Sequence, residues 1–378
     1  MLFSVIQLYT IAILASEVRS DLGISRAQLG IIGAANTAVG AMMSPFIGGV
    51  IDRVGARAGV IGVLIGSGLG MLATAGAQTL WLMLGASALS GVAQSGGNPA
   101  TNKLIAMHVP AGKRGAITGI KQSGVTLSLF LCGLTLPGAS ALIGWRSAAA
   151  LYGCLSFALA FLVWRKLPPD PRRRPSTTMN RGGPLPTFVR RITVYALMMG
   201  ITTAGMLRFI ALFAEEELGY NETTAGLAAA VVGLAGIAAR ITWGRLAEHK
   251  VGTRPALTLL ALLTAVTAGL LAVAPPVGAW LIWPIAVLAA FSTVAWNVVG
   301  NLAIIRGAGP ALAGRATGVM LFGFLTGLSI GAPMTGAIVD ATGDYWPAWL
   351  AILAAALVAA AIAATGDEPA LVPEEPPS

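Results

Sequence analysis

Charge is scarce in this sequence. Only 10% of its 378 residues are Asp, Glu, Lys or Arg, where a soluble domain carries roughly a quarter. With 56% hydrophobic residues and a mean hydropathy of +0.79, that shortage excludes an ordinary water-soluble globule. Cysteine is nearly absent. Cys132 and Cys154 both fall inside apolar runs, so there is no disulfide framework and no thiolate metal site. Histidine is limited to His108 and His249, far apart and beside polar loops, which leaves no metal centre or hydrolase constellation to assemble. No Gly-x4-Gly-Lys-Ser/Thr run occurs, so no ATP-cradling loop is expected. No cofactor, metal or catalytic residue is assigned. A membrane-embedded enzyme would need His, Asp or Ser clustered at one depth, and no such cluster is visible.

What the chain does have is apolar runs of bilayer-spanning length, broken by short polar stretches. Twelve spans are predicted, at 2–18, 27–49, 58–77, 80–106, 115–137, 145–164, 191–214, 224–246, 255–274, 279–305, 316–338 and 346–365. The 48 glycines suit helices packed closely in lipid. The fold class is therefore an all-α membrane protein. The first span begins almost at Met1 with no polar n-region and no cleavage site, so it reads as a span rather than a signal peptide. It is short at its cytoplasmic end, as an upstream start or a truncated chain would leave it.

Charge distribution sets the expected orientation. Arg53, Arg57, Lys113, Arg114, the bases of 165–191, Arg245, Lys250, Arg254, Arg306 and Arg315 all fall on one side. Only Arg19, Arg26 and Arg146 fall on the other. The positive-inside rule makes the basic side cytoplasmic and places both termini there, in a cell inner (plasma) membrane. The net charge of +9 thus reflects topology, and nucleic acid is not a partner. Trp81, Trp145, Trp280, Trp346 and Trp349 lie near external span ends, as an aromatic belt requires, whereas Trp296 is well inside the tenth span.

The longest hydrophilic break, "RKLPPDPRRRPSTTMNRGGPLPTFVRR", divides the spans six and six. The expected organisation is a first six-helix bundle over 1–166, a basic cytoplasmic linker over 167–190 and a second bundle over 191–365. The acidic, proline-rich tail over 366–378 is expected to be disordered.

The two bundles repeat. At an offset of 196, Asp21, Leu22, Gly23 and Gly30 become Glu217, Leu218, Gly219 and Gly226. The same offset takes Gly40 to Gly236, Gly48 to Gly244 and Asp52 to Glu248. One inserted residue then takes Gly55 to Gly252 and Arg57 to Arg254. An offset of 199 takes Trp81, Asn98 and Asn102 to Trp280, Asn297 and Asn301. Parallel repeats of this kind are the arrangement in which two halves rock about a midplane site.

The segment "GGVIDRVGAR" (48–57) resembles the signature of the major facilitator superfamily, Gly-x-x-x-Asp-Arg/Lys-x-Gly-x-Arg/Lys, through Gly48, Asp52, Arg53, Gly55 and Arg57. Its second copy, "GRLAEHKVGTR", is degenerate and one residue longer. The resemblance implies two pseudo-symmetric six-helix bundles, one central cavity and alternating access. It also implies a cytoplasmic gate: Asp52 would face the start of the eleventh span near Gly314 and Arg315, with Arg53 and Arg57 completing a latch. Gly244, Glu248 and Arg254 would form the second copy. "RGAITGIKQSGV" followed by "GWR" is similar to a bacterial branch that includes cyanate and organic-anion permeases, although that branch often has proline where this chain has Thr126.

The polar residues inside the spans bear on cargo. All fifteen acids map to loops, span ends, the linker or the tail, and none sits at a span centre. Exporters of cationic drugs resemble a different pattern, with a buried carboxylate and a Gly-Pro pair in the fifth helix; here Pro137 stands alone. Three bases fall within spans: Lys121, Arg208 and Arg240. Intramembrane positive charge without acids suits an anionic substrate. Each base has a plainer alternative: anchoring near the surface for Lys121, snorkelling or pairing with Glu215 for Arg208, and gate packing for Arg240, which shares a helix face with Gly236 and Gly244. Asn98 and Asn102, like Asn297 and Asn301, are four residues apart and share a face, where they would line a polar cavity or join helices. Trp296 would stack on substrate or pack in the core. Gln7, Asn36, Gln94 and Gln122 are lesser candidates, and the sequon at Asn221 reads as accidental.

The sequence is thus expected to encode a monomeric secondary transporter of a small molecule, an organic anion by preference, with or without a coupling ion. Export of drugs or other amphipathic compounds is the alternative. A non-transporting receptor is a further reading, against which the short tail counts.

Overall fold

In the computed structural model the described residues are 1–24, 26–170, 185–220 and 222–365. The linker positions 171–184, Asn221 and the tail 366–378, with the expectations attached to them, lie outside the described residues. Every regular element among the described residues is helical.

The first span is broken. A 3₁₀ turn at Phe3–Val5 leads into α1 (Ile6–Ile13), and Leu14 interrupts the helix before α2 (Ala15–Leu22). Five long helices follow: α3 (Arg26–Val54), α4 (Ala56–Gly76), α5 (Leu80–His108), α6 (Arg114–Ile143) and α7 (Trp145–Lys166). The second set comprises α8 (Thr187–Glu216), α9 (Glu222–His249), α10 (Thr253–Val277), α11 (Ile282–Ala289), a π-helical turn at Ala290–Val294, α12 (Trp296–Thr342) and α13 (Trp346–Ala364).

Nine of the described helical stretches are long and apolar enough to cross a membrane. Three features reconcile that number with twelve spans. The stretch Ala279–Thr342 is 64 residues long, enough for two crossings. α5 falls outside the nine although its 29 residues suffice in length, because it carries Gln94, Asn98, Asn102 and Lys103. Phe3–Ile13 is apolar but short. The loop expected between 305 and 316 is absent. The chain stays helical there and breaks only at Gly309 (φ 63°, ψ 173°), just before Pro310, which lacks an N–H and starts the next leg.

Contacts group the chain into two compact units. The first contains Met1–His108, Gly124–Pro186 and Ala308–Phe322; the second contains Val109–Ser123, Thr187–Gly307 and Gly323–Ser378. In the first unit α3 packs on α5, and α4 packs on α5 and α7. Its core runs through Ile6, Leu14, Ile32, Met71, Met83, Leu136 and Trp145. In the second unit α10 and α8 pack on α13. The core there has an aromatic cluster in which Phe213 meets Tyr345 and Trp349 edge-on at 5.4 Å. Tyr345 donates to Glu216 Oε2 at 2.6 Å, and burial together with that carboxylate pushes the phenol pKa up. α8 lies close against the second leg of α12, where Cβ atoms at Gly323, Gly327 and Gly331 would strike the carbonyls of Thr193, Leu197 and Ile201.

Candidate functional site

Within the first unit, the end of α3 is fastened to the second leg of α12. Asp52 Oδ1 accepts from the Gly314 N–H at 2.9 Å, and Oδ2 accepts from the Arg315 N–H at 2.6 Å. A carboxylate on backbone N–H groups in the first turns of a helix also meets the positive end of its dipole. The approach depends on glycine: a Cβ on Gly48 would run into the Gly314 carbonyl, and one on Gly314 would lie 2.5 Å from Asp52 Oδ1. A turn further along α12, a Cβ on Gly318 would strike the Ser44 carbonyl.

Lys103, on α5, completes this cluster. Its Nζ donates to Asp52 O at 2.8 Å, Ile51 O at 3.2 Å and Asp52 Oδ1 at 3.3 Å. Both side chains are largely buried, at 7% exposure for Lys103 and 12% for Asp52. Sequence reasoning counted three bases within spans and missed this fourth one. The available signal was its position inside the predicted 80–106 span, three residues from the end, where a lysine reads as a surface anchor. Asn102 Nδ2, on the same helix, donates to Thr317 Oγ1 at 2.9 Å and so binds α5 to the same part of α12. Asn98 is half-buried one turn away, and Arg53 is exposed.

The remaining signature residues hold the start of α4. Gly55 (φ +101°) makes the turn that a side chain would strain, and Asp170 sits against it, its Oδ2 accepting from the Arg57 N–H at 3.2 Å. Arg57 Nη2 donates to the Trp164 carbonyl at the end of α7. The signature thus has two parts: Gly48 and Asp52 meet α12, whereas Gly55 and Arg57 tie α4 to α7.

The second unit holds a related cluster. Glu248 Oε2 accepts from the Gly115 N–H at 2.7 Å, at the start of α6. Cβ atoms on Gly115 and Gly244 would each strike the other's carbonyl. Arg306 Nη2 donates to Glu248 O at 3.0 Å and lies 3.9 Å from Oε1, and His249 Nε2 is 3.8 Å from Oε2. Arg254 Nη2 donates to the Ala364 carbonyl, as Arg57 does to Trp164. A second clasp of the same chemistry therefore exists despite the degenerate motif.

The candidate substrate residues divide between the units. Lys121, Arg208, Arg240, Trp296, Asn297 and Asn301 lie in the second; Asn98 and Asn102 lie in the first. Lys121 and Arg240 lie on two helices that cross. A Cβ on Gly119 would sit 2.7 Å from the Arg240 carbonyl and 3.0 Å from Ile241 Cα, which places α6 directly on α9. Arg240 is 6% exposed, Lys121 is half-buried, and the neighbouring Gln122 is buried with Oε1 making no hydrogen bond. Arg208 is exposed on α8. Asn301 Nδ2 donates to the Asn297 carbonyl at 2.6 Å, while Asn297 Oδ1 makes no hydrogen bond. Trp296 is 1% exposed and packed edge-on against Tyr195 and Phe324, so in this conformation it is a core residue.

Two neutral networks complete the inventory. In the first unit Gln7 Nε2 donates to Ser87 Oγ at 2.9 Å, and Asn36 Nδ2 donates to Gln7 Oε1 at 3.1 Å. In the second unit the Thr202 and Thr203 hydroxyls of α8 contact Thr293 in the π-helical turn; no sequence signal marked that turn in advance.

A sequence profile of the Major Facilitator Superfamily matches residues 1–324. The multidrug resistance protein MdtG of Escherichia coli (strain K12 / DH10B) is 27% identical over 218 residues, covering 55% of this chain and 52% of the relative. MdtG of Klebsiella pneumoniae (strain 342) is 27% identical over 221 residues, covering 55% and 53%. The chain spans about half the length of these curated relatives. Among solved structures, FucP in the outward conformation has a TM-score of 0.76 at 15% identity, covering 96% of this chain and 97% of FucP. The human organic anion transporter MFSD10 (TETRAN) has a TM-score of 0.76 at 12% identity, with 96% and 97% covered. A bacterial homologue of the iron transporter ferroportin in the outward-facing state has a TM-score of 0.77 at 15% identity, with 96% of each chain covered.

Proposed function

Since the chain belongs to the major facilitator superfamily, we propose that it is a secondary transporter whose solute is a small organic anion. One observation carries the anion reading. The spans carry Lys121 on α6 and Arg240 on α9, helices that cross at Gly119, while no Asp or Glu occupies the middle of a membrane span among the described residues. The two bases lie seven residues past Arg114 and eight before Glu248, so roughly 10–12 Å inside the basic end. A charge at that depth costs several kcal/mol unless it faces protein or a wet cavity. A carboxylate solute would offset that cost and be held bidentately by the guanidinium. Arg208, Asn297 and Asn301 are the further contacts proposed in this unit.

The two clasps act as the gate. By the positive-inside rule the basic ends of the helices face the cytoplasm, with both termini there. Asp52 on Gly314 and Arg315, and Glu248 on Gly115, then hold that side shut and release as the state changes. The moving parts are the six-span halves, 1–166 and 191–365, joined by 167–190, and a single chain suffices.

Uptake by purified protein in liposomes, across a panel of carboxylates, other anions, cations and neutral drugs, tests the reading. Anions should be carried, and Arg240→Gln and Lys121→Gln should each weaken anion binding about tenfold, the loss of one charge-assisted contact. Transport of cations or neutral compounds alone would reject it. A second reading, export of amphipathic drugs, is favoured by the likeness to MdtG. It predicts drug efflux indifferent to both substitutions.

A further inference from the structure

The π-helical turn Ala290–Val294 lies beside the midpoint of α8, where Thr202 and Thr203 are the sixteenth and seventeenth of 30 residues. Single π turns inside membrane helices are found frequently at functional sites, because they divert carbonyls from the helical ladder. Here the Phe291 carbonyl accepts from Trp243 Nε1 at 2.7 Å, and the Thr293 carbonyl faces Thr203 Oγ1 at 3.1 Å.

Counting protons around Thr293 shows what this arrangement lacks. Thr202 and Thr203 Oγ1 both lie within hydrogen-bonding distance of the Met199 carbonyl, at 2.9 and 2.6 Å. Thr203 Oγ1 is also 3.1 Å from Thr293 O and 3.1 Å from Thr293 Oγ1, and Thr202 Oγ1 is 3.3 Å from Thr293 Oγ1. Five oxygen–oxygen contacts share three hydroxyl protons. With the two shortest satisfied at Met199, the lone pairs of Thr202 and Thr203 turn toward Thr293. At least two oxygen pairs are then left facing without a proton between their members.

We propose that Thr202 Oγ1, Thr203 Oγ1, Thr293 Oγ1 and Thr293 O form a site for an alkali cation, Na⁺ by size. The oxygens are neutral and hard, and neighbours 3.1–3.3 Å apart are spaced as adjacent ligands at right angles about 2.3 Å from an ion, a hard-cation distance. Thr202 and Thr293 are fully buried and Thr203 is half-buried, which leaves entry on the Thr203 side. Backbone carbonyls at irregular turns near the membrane midplane are a recognised way to hold a coupling ion. The site also bears on the solute. Val294, next to Thr293, packs 3.2 Å from the Cβ position of Gly236, one turn from Arg240. A cation there is repelled by Arg240 alone and attracted by an anion bound at Arg240, so each ligand raises the affinity of the other. That coupling rests on the anion reading; the cation site itself does not.

The test is cation-dependent thermal stability of the purified full chain, without solute, in NaCl, KCl or choline chloride at constant ionic strength. Na⁺ should raise the melting temperature saturably and more than K⁺. Thr203→Val and Thr293→Val, which keep shape and remove one oxygen, should each weaken the apparent Na⁺ affinity roughly tenfold or more, and Thr203→Ser should retain it. Equal stability in Na⁺ and choline overturns the site, as does an undiminished Na⁺ response in both valine variants. If the valine variants fail to fold, binding of radioactive Na⁺ to the native chain decides, and its absence overturns the proposal. A Na⁺ response in a protein that ignores anions would reject the anion reading and keep the cation site.

Discussion

Asp52 shows how one side chain acts here. It sits almost out of water, yet three independent donors meet it: two backbone N–H groups and the Lys103 ammonium. Removing one member of a buried pair strands the other. Lys103→Gln should therefore destabilise the protein by about 3 kcal/mol, measurable as a lowered unfolding midpoint. Asp52→Asn keeps the shape and one acceptor but loses the charge that meets the helix end. Transport should fall at least about tenfold while solute affinity changes little, because the gate and the solute contacts are different residues. Equal loss in both measurements would place Asp52 in the binding site instead. The signature made Asp52 and its α12 partners legible in the sequence, while Lys103 stayed hidden. A base near a predicted span end looks like an anchor until the structure shows it turned inward onto α3.

Helix contacts supply the next scale. Close approach is bought by glycine on both sides of each clasp, Gly48 against Gly314 and Gly115 against Gly244. The longest such seam joins α8 to α12. Gly327→Ala would drive a methyl group into the Leu197 carbonyl and Gly200, with backbone on both sides and nothing flexible to yield. A loss of about 1–3 kcal/mol in stability is expected, against nearly none for Gly62→Ala, where a Cβ meets nothing within 4 Å. The abundance of glycine announced close helix packing but not this seam. The π turn and the continuous α12 were not announced. The residues around 306–315 carry charge and glycine, which reads as a loop, but Ala- and Leu-rich flanks keep them helical and only Gly309 breaks the ladder.

For the whole molecule, composition and periodicity carried most of the fold. Apolar runs, the basic-loop asymmetry and the internal repeat all follow from the cost of leaving backbone or charge in hydrocarbon, and that cost is written into every span. The cargo is written less plainly. It depends on which way Lys121 and Arg240 face, and a helical pattern fixes a residue's face without fixing what that face meets. The crossing at Gly119 sets α6 on the Arg240 backbone of α9 and so puts the two bases on adjoining helices. The most direct measurement is solute uptake into liposomes by native protein and by Arg240→Gln, side by side, over anions, cations and neutral drugs. The account predicts uptake of one or more organic anions by the native protein and a roughly tenfold loss of apparent affinity in the variant. Transport confined to cations or neutral compounds, unchanged by Arg240→Gln, would contradict it.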